Sequence, residues 1–183
     1  MNNLDHLKNP QINIVDYRSE FQVFFENLYV KWFRNHFQSE PEPIDWALLK
    51  DPNHSILEKG GILLIGTCND APAGSLALKK LNEETFELTK MVIDEKFRGL
   101  GIGEALCREA IDRAVGLGAK RLILYSHNSL EAALRLYRKL GFTEVPLEQG
   151  LYSHFRCNVK MEFLFDQFAI NHTGKDPGII SRN

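Results

Sequence analysis

The segment from Thr85 to Leu106 constrains the fold of this chain more than any other, because it predicts a strand, a turn and a helix in direct succession. Phe86–Ile93 is a short apolar run of strand-forming residues, three glycines follow at 99, 101 and 103, and a helical sequence begins at Glu104. A glycine turn that leads into a helix exposes backbone N–H groups without intrahelical partners at the positive end of the helix dipole. Such a site binds phosphate or another anion, so the segment predicts a phosphate-bearing ligand.

Length and composition fit one globular domain. The chain has 183 residues, 44% of them hydrophobic and 25% charged, with a formal net charge of −2. We expect residues 1–165 to form a single domain and residues 166–183 to form a polar C-terminal tail. The absence of a basic block argues against nucleic-acid binding. No apolar run approaches the ~20 residues of a membrane span, and the N-terminus lacks the apolar core of a signal peptide, which together predict a cytoplasmic protein.

The cysteine and histidine residues show no pattern of a disulfide framework or a metal site. The three cysteines, Cys68, Cys107 and Cys157, are isolated and odd in number. The six histidines include no His-x-His and no His-Glu-x-x-His spacing. We therefore expect a metal-free protein in which these residues pack in the core or lie on the surface.

Hydrophobic periodicity and turn residues predict an alternation of strands and helices. The predicted strands are Ile12–Asp16, Gly61–Cys68, Pro72–Leu81, Thr85–Asp94, Arg121–Ser126, Phe142–Val145 and Asn158–Phe165. The predicted helices are Ser19–Phe37, Ile44–Leu49, Ile102–Leu117 and a fourth that begins with Asn128 or Ser129 as its N-cap and ends at about Leu140. Asn69-Asp70 predicts a hairpin between the second and third strands.

Two other nucleotide-binding motifs fail at this glycine turn. A dinucleotide-binding fingerprint needs an acidic residue about 20 positions on, at the end of the next strand, and Arg121–Ser126 carries none. The Walker pattern needs Gly-Lys-Ser/Thr, which does not follow the loop. A tight turn with no ligand stays open as the structural alternative.

The loop Arg98-x-x-Gly101-x-Gly103 resembles the pyrophosphate loop of the GCN5-related N-acetyltransferases (GNAT family), whose pattern is Gln/Arg-x-x-Gly-x-Gly/Ala. Residues 87–93 resemble the fourth strand of that family. Residues 128–142 resemble its later Asn…Ala…Tyr…Gly-Phe segment. The resemblance covers residues 11–165, is specific in the second half and topological in the first, and points to a small bacterial-type acetyltransferase.

The resemblance implies the GNAT fold, an α/β (α+β) architecture. It has a central mixed and mostly antiparallel sheet of about six to seven strands, flanked by about four helices. Its parallel fourth and fifth strands, here Thr85–Asp94 and Arg121–Ser126, begin side by side and then splay apart. Splaying leaves backbone N–H and C=O groups that need partners, and the amides of the pantetheine arm of acetyl-CoA supply them.

The resemblance also implies the residues that bind acetyl-CoA. The main chain of Met91 and Ile93 pairs with pantetheine, and an N–H near Met91 or Val92 holds the oxyanion. The amides of Arg98–Gly103 wrap the pyrophosphate, where glycine permits close approach or a positive φ. The implied cofactor-binding residues are Met91, Val92, Ile93, Arg98, Gly99, Leu100, Gly101, Ile102, Gly103, Glu104 and Asn128, with no metal.

Acetyl transfer to an amine needs a base, because an alkylammonium is not nucleophilic until it loses a proton, and an acid for the departing thiolate. By the resemblance, Tyr137 is the candidate general acid and Glu87 the candidate base. Tyr137 also fits the apolar stripe of its helix, so a core role stays open, and a water chain could replace Glu87. Asn128 either contacts the cofactor or only caps the helix, and His127 is expected to be structural.

The amine acceptor is a small molecule or a peptide that the sequence does not identify. The resemblance places the acceptor wall in residues 26–49, whose aromatic and acidic side chains suit a cationic amine. The resemblance also places Tyr152, His154 and Arg156, just before the last strand, close to the acceptor. The function expected is acetyl transfer from acetyl-CoA to a primary amine by direct attack in a ternary complex. The alternative is a non-catalytic acyl-CoA-binding sensor or regulatory module, and similar proteins suggest a homodimer.

Overall fold

The computed structural model describes residues 10–148 and 156–165, which form one sheet covered by helices on both faces. The strands are β1 (Ile12–Asp16), β2 (Ile62–Cys68), β3 (Ala71–Lys80), β4 (Thr85–Ile93), β5 (Arg121–Ser126), β6 (Thr143–Val145) and β7 (Val159–Leu164). The helices are α1 (Gln22–Phe37), α2 (Pro43–Lys50), α3 (Ile102–Gly116) and α4 (Glu131–Lys139). Short 3-10 turns at Ser19–Phe21 and Glu95–Phe97 and a π-helical turn at Asn53–Leu57 complete the described elements.

The seven strands form a mixed sheet in the order β1-β2-β3-β4-β5-β7-β6. The pairings are antiparallel except for the parallel pair β4 and β5. Asn69 and Asp70 both have positive φ, as a two-residue hairpin turn that matches the strand twist requires. The expected fold class and the number of strands are confirmed.

The sheet separates two apolar clusters. On one face, buried residues of α3 such as Leu106 and Ala110 pack with Leu134 and Tyr137 of α4 against the strands. On the other face, α1 and α2 pack against β2 and β3, with Phe25 and Leu49 fully buried. The helix periodicity in the sequence follows directly from these two layers, because each helix buries one stripe.

Strands β4 and β5 pair only at their N-terminal ends. The paired residues are Thr85 with Arg121, Phe86 with Leu122, and Glu87 with Ile123. Beyond Glu87, β4 runs on to Ile93 without pairing to any described residue of β5. The expected splay is therefore present, and it opens a gap in the middle of the sheet.

One predicted boundary is wrong. The helix expected to start from an Asn128 or Ser129 cap begins at Glu131, and Leu130 occupies the N-cap without a side-chain hydrogen bond. The backbone N–H of Asn128 instead donates to the Asn158 side chain at 2.8 Å. That bond holds the β5–α4 loop to the chain just before β7, so these residues form a loop and not a helix start.

The predicted tail at 166–183 and the predicted acceptor contacts Tyr152 and His154 lie outside the described residues. The assignment of residues 1–165 to a single domain remains a prediction. Within residues 10–148 and 156–165, no helix combines the length and apolarity needed to cross a bilayer.

Candidate active site

A β-bulge on β4 shapes the edge of the gap. The pairing of β3 with β4 changes register between Ser75 and Ala77, where Ser75 faces Val92 and Ala77 faces Thr89. Lys90 lies in the bulge with a φ of +53°, which is unusual for a residue other than glycine. The buried Ser75 hydroxyl donates to the Lys90 carbonyl at 3.0 Å, which satisfies the group that the bulge displaces.

The glycine turn has the backbone geometry that an anion site needs. Gly99 and Gly101 have φ values of +81° and +85°, and Gly101 is the N-cap of α3. A Cβ built on either residue meets nothing within 4 Å, so the left-handed backbone and not crowding in the free protein requires glycine here. The first hydrogen bond of α3 runs from the Ala105 N–H to the Gly101 carbonyl at 3.0 Å, which leaves the preceding N–H groups outside the helical pattern.

The carboxylate of Glu104 in this first turn is neutralised by two cations. Lys139 Nζ lies 2.6 Å from Glu104 Oε2, and Arg108 lies 2.8 Å from Glu104 Oε1. Both contacts lower the pKa of Glu104, with the hydrogen bond from Lys139 as the largest cause. The pairing offsets the repulsion that this carboxylate would exert on a bound phosphate.

A cavity of about 870 Å³ extends from the glycine turn through the β4–β5 gap to a chamber under α1 and α2. That volume falls in the range of small-molecule sites. Of the predicted site residues, Glu87, Met91, Val92, Ile93, Arg98, Gly99, Gly101, Ile102, Gly103, Glu104 and Tyr137 line this cavity. Leu100 and the exposed Asn128 do not line it, although Ser129 and Leu130 of the same loop do.

Tyr137 reaches the gap from α4. Its side chain is 6% exposed, and its hydroxyl donates to the Met91 sulfur at 3.8 Å. Burial raises the pKa of Tyr137 well above its usual value, so the hydroxyl stays protonated over the ordinary pH range. The thioether is a weak acceptor, and a better acceptor in the gap can therefore compete for this proton.

Glu87 is the last residue of β4 that pairs with β5, at the point where the gap opens. Its side chain is 7% exposed and lines the cavity. Burial, followed by the charges of Glu148 and Glu87, raises the pKa of Tyr125 on β5 to about 12.

A buried ionic cluster forms the wall of the chamber opposite the glycine turn. Asp45 of α2, 1% exposed, binds Lys90 Nζ at 2.5 Å and both terminal nitrogens of Arg156 at 3.0 Å. Arg156 also binds Glu42 at 2.7 Å. Burial acts to raise the pKa of Asp45, but the charges and hydrogen bonds of Lys90 and Arg156 outweigh it and hold that pKa below its usual value.

Aromatic side chains of α1 line the same chamber. Lys90 Nζ lies 4.4 Å from the centre of the Tyr29 ring, which contacts the Trp32 ring at 5.5 Å. Phe37, at the end of α1, meets the ring of His127 edge-on at 6.0 Å. The wall expected in residues 26–49 thus lines the cavity, and His127 contacts its end.

Sequence reasoning missed Lys90. Its position in a strand between Thr89 and Met91 predicts an ordinary alternating residue, whereas the bulge turns its side chain towards α1 and α2. The only local signal is a cation next to the apolar residues Met91–Ile93. Its partners Asp45 and Tyr29 lie 45 and 61 positions away in the chain, so the sequence pattern gives no indication of the cluster.

Comparison with known proteins agrees with this fold. The model of the acetyltransferase (GNAT) family matches residues 22–142. The chain therefore belongs to the GNAT family of acetyltransferases, and the expected enzyme class, an acetyl-CoA-dependent N-acetyltransferase, is confirmed.

Individual relatives extend the match. The chain is 32% identical over 110 residues to the uncharacterized N-acetyltransferase YvbK of Bacillus subtilis, covering 57% of this chain and 70% of that protein. A GNAT acetyltransferase structure from Staphylococcus aureus Mu50 superposes with a TM-score of 0.74 at 22% identity, covering 83% of this chain and 98% of the other. YncA of Salmonella typhimurium, solved with acetyl-CoA, superposes with a TM-score of 0.67 at 16% identity, covering 91% and 99%. At these identities the structural likeness concerns the fold.

Proposed function

We propose that this enzyme transfers the acetyl group of acetyl-CoA to a primary amine by direct attack, with both substrates bound at once. The observation that carries the proposal is the single cavity that joins the glycine turn, the β4–β5 gap and the chamber under α1 and α2. Acetyl-CoA, when bound, supplies an activated thioester carbonyl. A shared cavity lets an amine reach that carbonyl without a covalent enzyme intermediate.

The described residues fit acetyl-CoA on two structural grounds. The β4 edge beyond Glu87 has no strand partner among the described residues, so its main-chain groups at Met91–Ile93 can pair with the amides of a pantetheine arm. Gly99 and Gly101 have positive φ and line the cavity at the start of α3, where the backbone N–H groups outside the helical pattern can bind a pyrophosphate. The Salmonella protein named above binds acetyl-CoA on the same fold, which supports this assignment.

Two side chains carry the proton transfers in this proposal. Glu87 accepts the proton of the acceptor ammonium at the mouth of the gap, where its carboxylate lines the chamber. Tyr137 donates its hydroxyl proton to the departing sulfur, since burial keeps that hydroxyl protonated. A main-chain N–H near Met91 or Val92 stabilises the negative charge that develops on the carbonyl oxygen. Asn128 remains a candidate cofactor contact through its loop.

An amine panel tests the function. Release of free thiol from acetyl-CoA is followed with amino acids, peptides, polyamines and aminoglycosides at several pH values. Amine-dependent thiol release that rises with pH supports the proposal. Tight acetyl-CoA binding without turnover across the panel contradicts it and favours the alternative, a non-catalytic acyl-CoA sensor.

A further inference from the structure

The charged side chains at the acceptor end of the cavity are not balanced. Asp45 and Glu87 are the carboxylates that line this end, and Glu42 reaches it through its ion pair with Arg156. Four cations line the same end: Lys59, Lys79, Lys90 and Arg156. Among the described residues the chamber therefore carries a surplus of positive charge before any substrate binds.

The Lys79 and Glu87 pair gives this charge a definite arrangement. These residues are direct cross-strand partners on β3 and β4, so both side chains project from the same face of the sheet. Directly opposed side chains of an antiparallel pair have Cβ atoms about 4.5–5.5 Å apart. A buried carboxylate and a half-buried ammonium thus stand side by side on the floor of the chamber.

Lys79 differs from Lys80, the next residue in the chain, in its ion pairing. It forms no ion pair with any residue in the described part of the chain, whereas Lys80, on the opposite face, pairs with Glu83 at 2.8 Å. Lys90 lies on the Lys79 side of the sheet because of the bulge and, within residues 10–148 and 156–165, shares its carboxylate partner, Asp45, with Arg156. Both lysines can therefore accept a further anionic partner.

We infer that the acceptor is an amino-acid-like zwitterion, a primary amine with a carboxylate close to it. Its ammonium group lies at Glu87, and its carboxylate lies at Lys79 and Lys90. Such a molecule supplies the negative charge that the chamber lacks, whereas a polyamine or an aminoglycoside would add further positive charge. This inference rests on the proposed acetyl transfer and names its acceptor class.

Matched acceptors test this inference. Each of several free amino acids is compared with its own primary amide, which keeps the amine and removes only the carboxylate, and with spermidine. We expect kcat/KM from thiol release to be at least tenfold higher for the amino acid than for its amide. Equal or faster turnover of the amides or of spermidine overturns the inference.

Variants on β3 test the residue placement. Lys79→Gln is expected to reduce the ratio of amino-acid to amide turnover at least tenfold, and Lys79→Arg to restore most of it. Lys80→Gln, one position along the same strand and facing the other way, serves as the matched control and should keep the wild-type ratio. A ratio that Lys79→Gln leaves unchanged overturns the inference.

A binding measurement separates failure of this inference from failure of the proposed function. Calorimetry with the same amino acids and amides is run on protein saturated with coenzyme A. If no amine releases thiol but amino acids bind more tightly than their amides, acetyl transfer to them is contradicted, whereas the preference of the chamber for an amine that carries a carboxylate is supported. Equal or tighter binding of the amides overturns the acceptor class whatever the turnover.

Discussion

Tyr137 is the residue whose environment best matches a proton donor. Its buried hydroxyl faces a thioether at 3.8 Å, so little hydrogen-bond energy holds it in place. The pattern of α4 alone leaves a core role open, and the ring does pack in the core, 5.8 Å from Phe142, while the hydroxyl contacts Met91 at the gap. The role of proton donor stays a prediction.

We expect Tyr137→Phe to lower kcat at least about tenfold with little change in acetyl-CoA affinity, because the ring remains and only the proton donor is lost. Steady-state kinetics and calorimetry measure the two quantities. Tyr17→Phe is the control, since the Tyr17 hydroxyl binds Gln22 at 2.7 Å away from the cavity. An unchanged kcat in Tyr137→Phe would remove the assignment.

The proposed role of Glu87 as the base predicts how the reaction rate depends on pH. A carboxylate base works only when ionised, so activity through it is lost as the pH falls and the carboxylate becomes protonated. We expect Glu87→Gln to lower kcat and to change the acid limb of the pH–rate profile, while Glu83→Gln, on the exposed turn after β3, leaves that limb in place. An identical profile in Glu87→Gln would show that water or another group accepts the proton.

At the scale of elements, two glycines near the turn between β4 and α3 look alike in the sequence but differ in the backbone conformation that they adopt. Gly101 has a φ of +85°, whereas Gly103 lies inside α3, where an added Cβ would meet Ile93 and Leu136 at an ordinary 3.6 Å. Only the first glycine is required by its backbone conformation.

We expect Gly101→Ala to lower the free energy of unfolding by about 1–2 kcal/mol, the usual cost of a left-handed residue with a Cβ, and to weaken acetyl-CoA binding. Gly103→Ala should not destabilise the protein, because alanine favours a helix more than glycine does. Urea unfolding of the two variants makes the comparison. Equal destabilisation by both would mean that the turn is not as described.

The elements that the sequence predicted well are those whose signals are local. The glycine turn, the Asn69-Asp70 hairpin and the apolar run of β5 depend on neighbouring residues, and each has the expected structure. The predicted start of α4 is wrong because Asn128 is a residue type that often caps a helix. In the structure it lies in the loop before α4, and its backbone N–H donates to the side chain of Asn158, 30 residues away. The bulge at Lys90 and the cluster around Asp45 depend on contacts between distant parts of the chain, which a short stretch of sequence does not reveal.

At the scale of the whole molecule, the ion pairs of Asp45 connect helix α2 to the sheet. Asp45 joins α2 to Lys90 on β4 and to Arg156 just before β7, and its carboxylate also accepts the Glu42 N–H in the capping box of α2. Three distant segments of the chain thus meet at one buried carboxylate.

We expect Asp45→Asn to destabilise the protein by about 3–5 kcal/mol, because it removes the carboxylate bound to the buried Lys90 and leaves the buried Arg156 with Glu42 as its carboxylate partner among the described residues. Glu40→Gln, which breaks the exposed 2.7 Å pair with Arg34, is the control and should change stability little. Urea unfolding at neutral pH measures both. A small effect of Asp45→Asn on the free energy of unfolding would show that these ion pairs do not stabilise the packing of α2 on the sheet.

The same carboxylate gives the stability a pH dependence of known sign. The pKa of Asp45 is lower in the folded protein than in the unfolded chain. The ionised carboxylate therefore contributes to the free energy of unfolding above the ordinary aspartate pKa of about 4, and this contribution is lost as the pH falls through the lower pKa of the folded protein. We expect the acid-induced loss of stability to be smaller in Asp45→Asn than in the wild type, as measured by unfolding between neutral and acid pH. Parallel curves for the two proteins would contradict this.

The central claim is that acetyl-CoA occupies the gap between β4 and β5 with its pyrophosphate at the glycine turn. A crystal structure of the protein with coenzyme A tests it most directly. The account predicts pantetheine paired with the main chain of Met91 and Ile93 and the pyrophosphate bound by the amides of residues 98–103. Coenzyme A bound elsewhere, or β4 and β5 paired along their whole length, would contradict it.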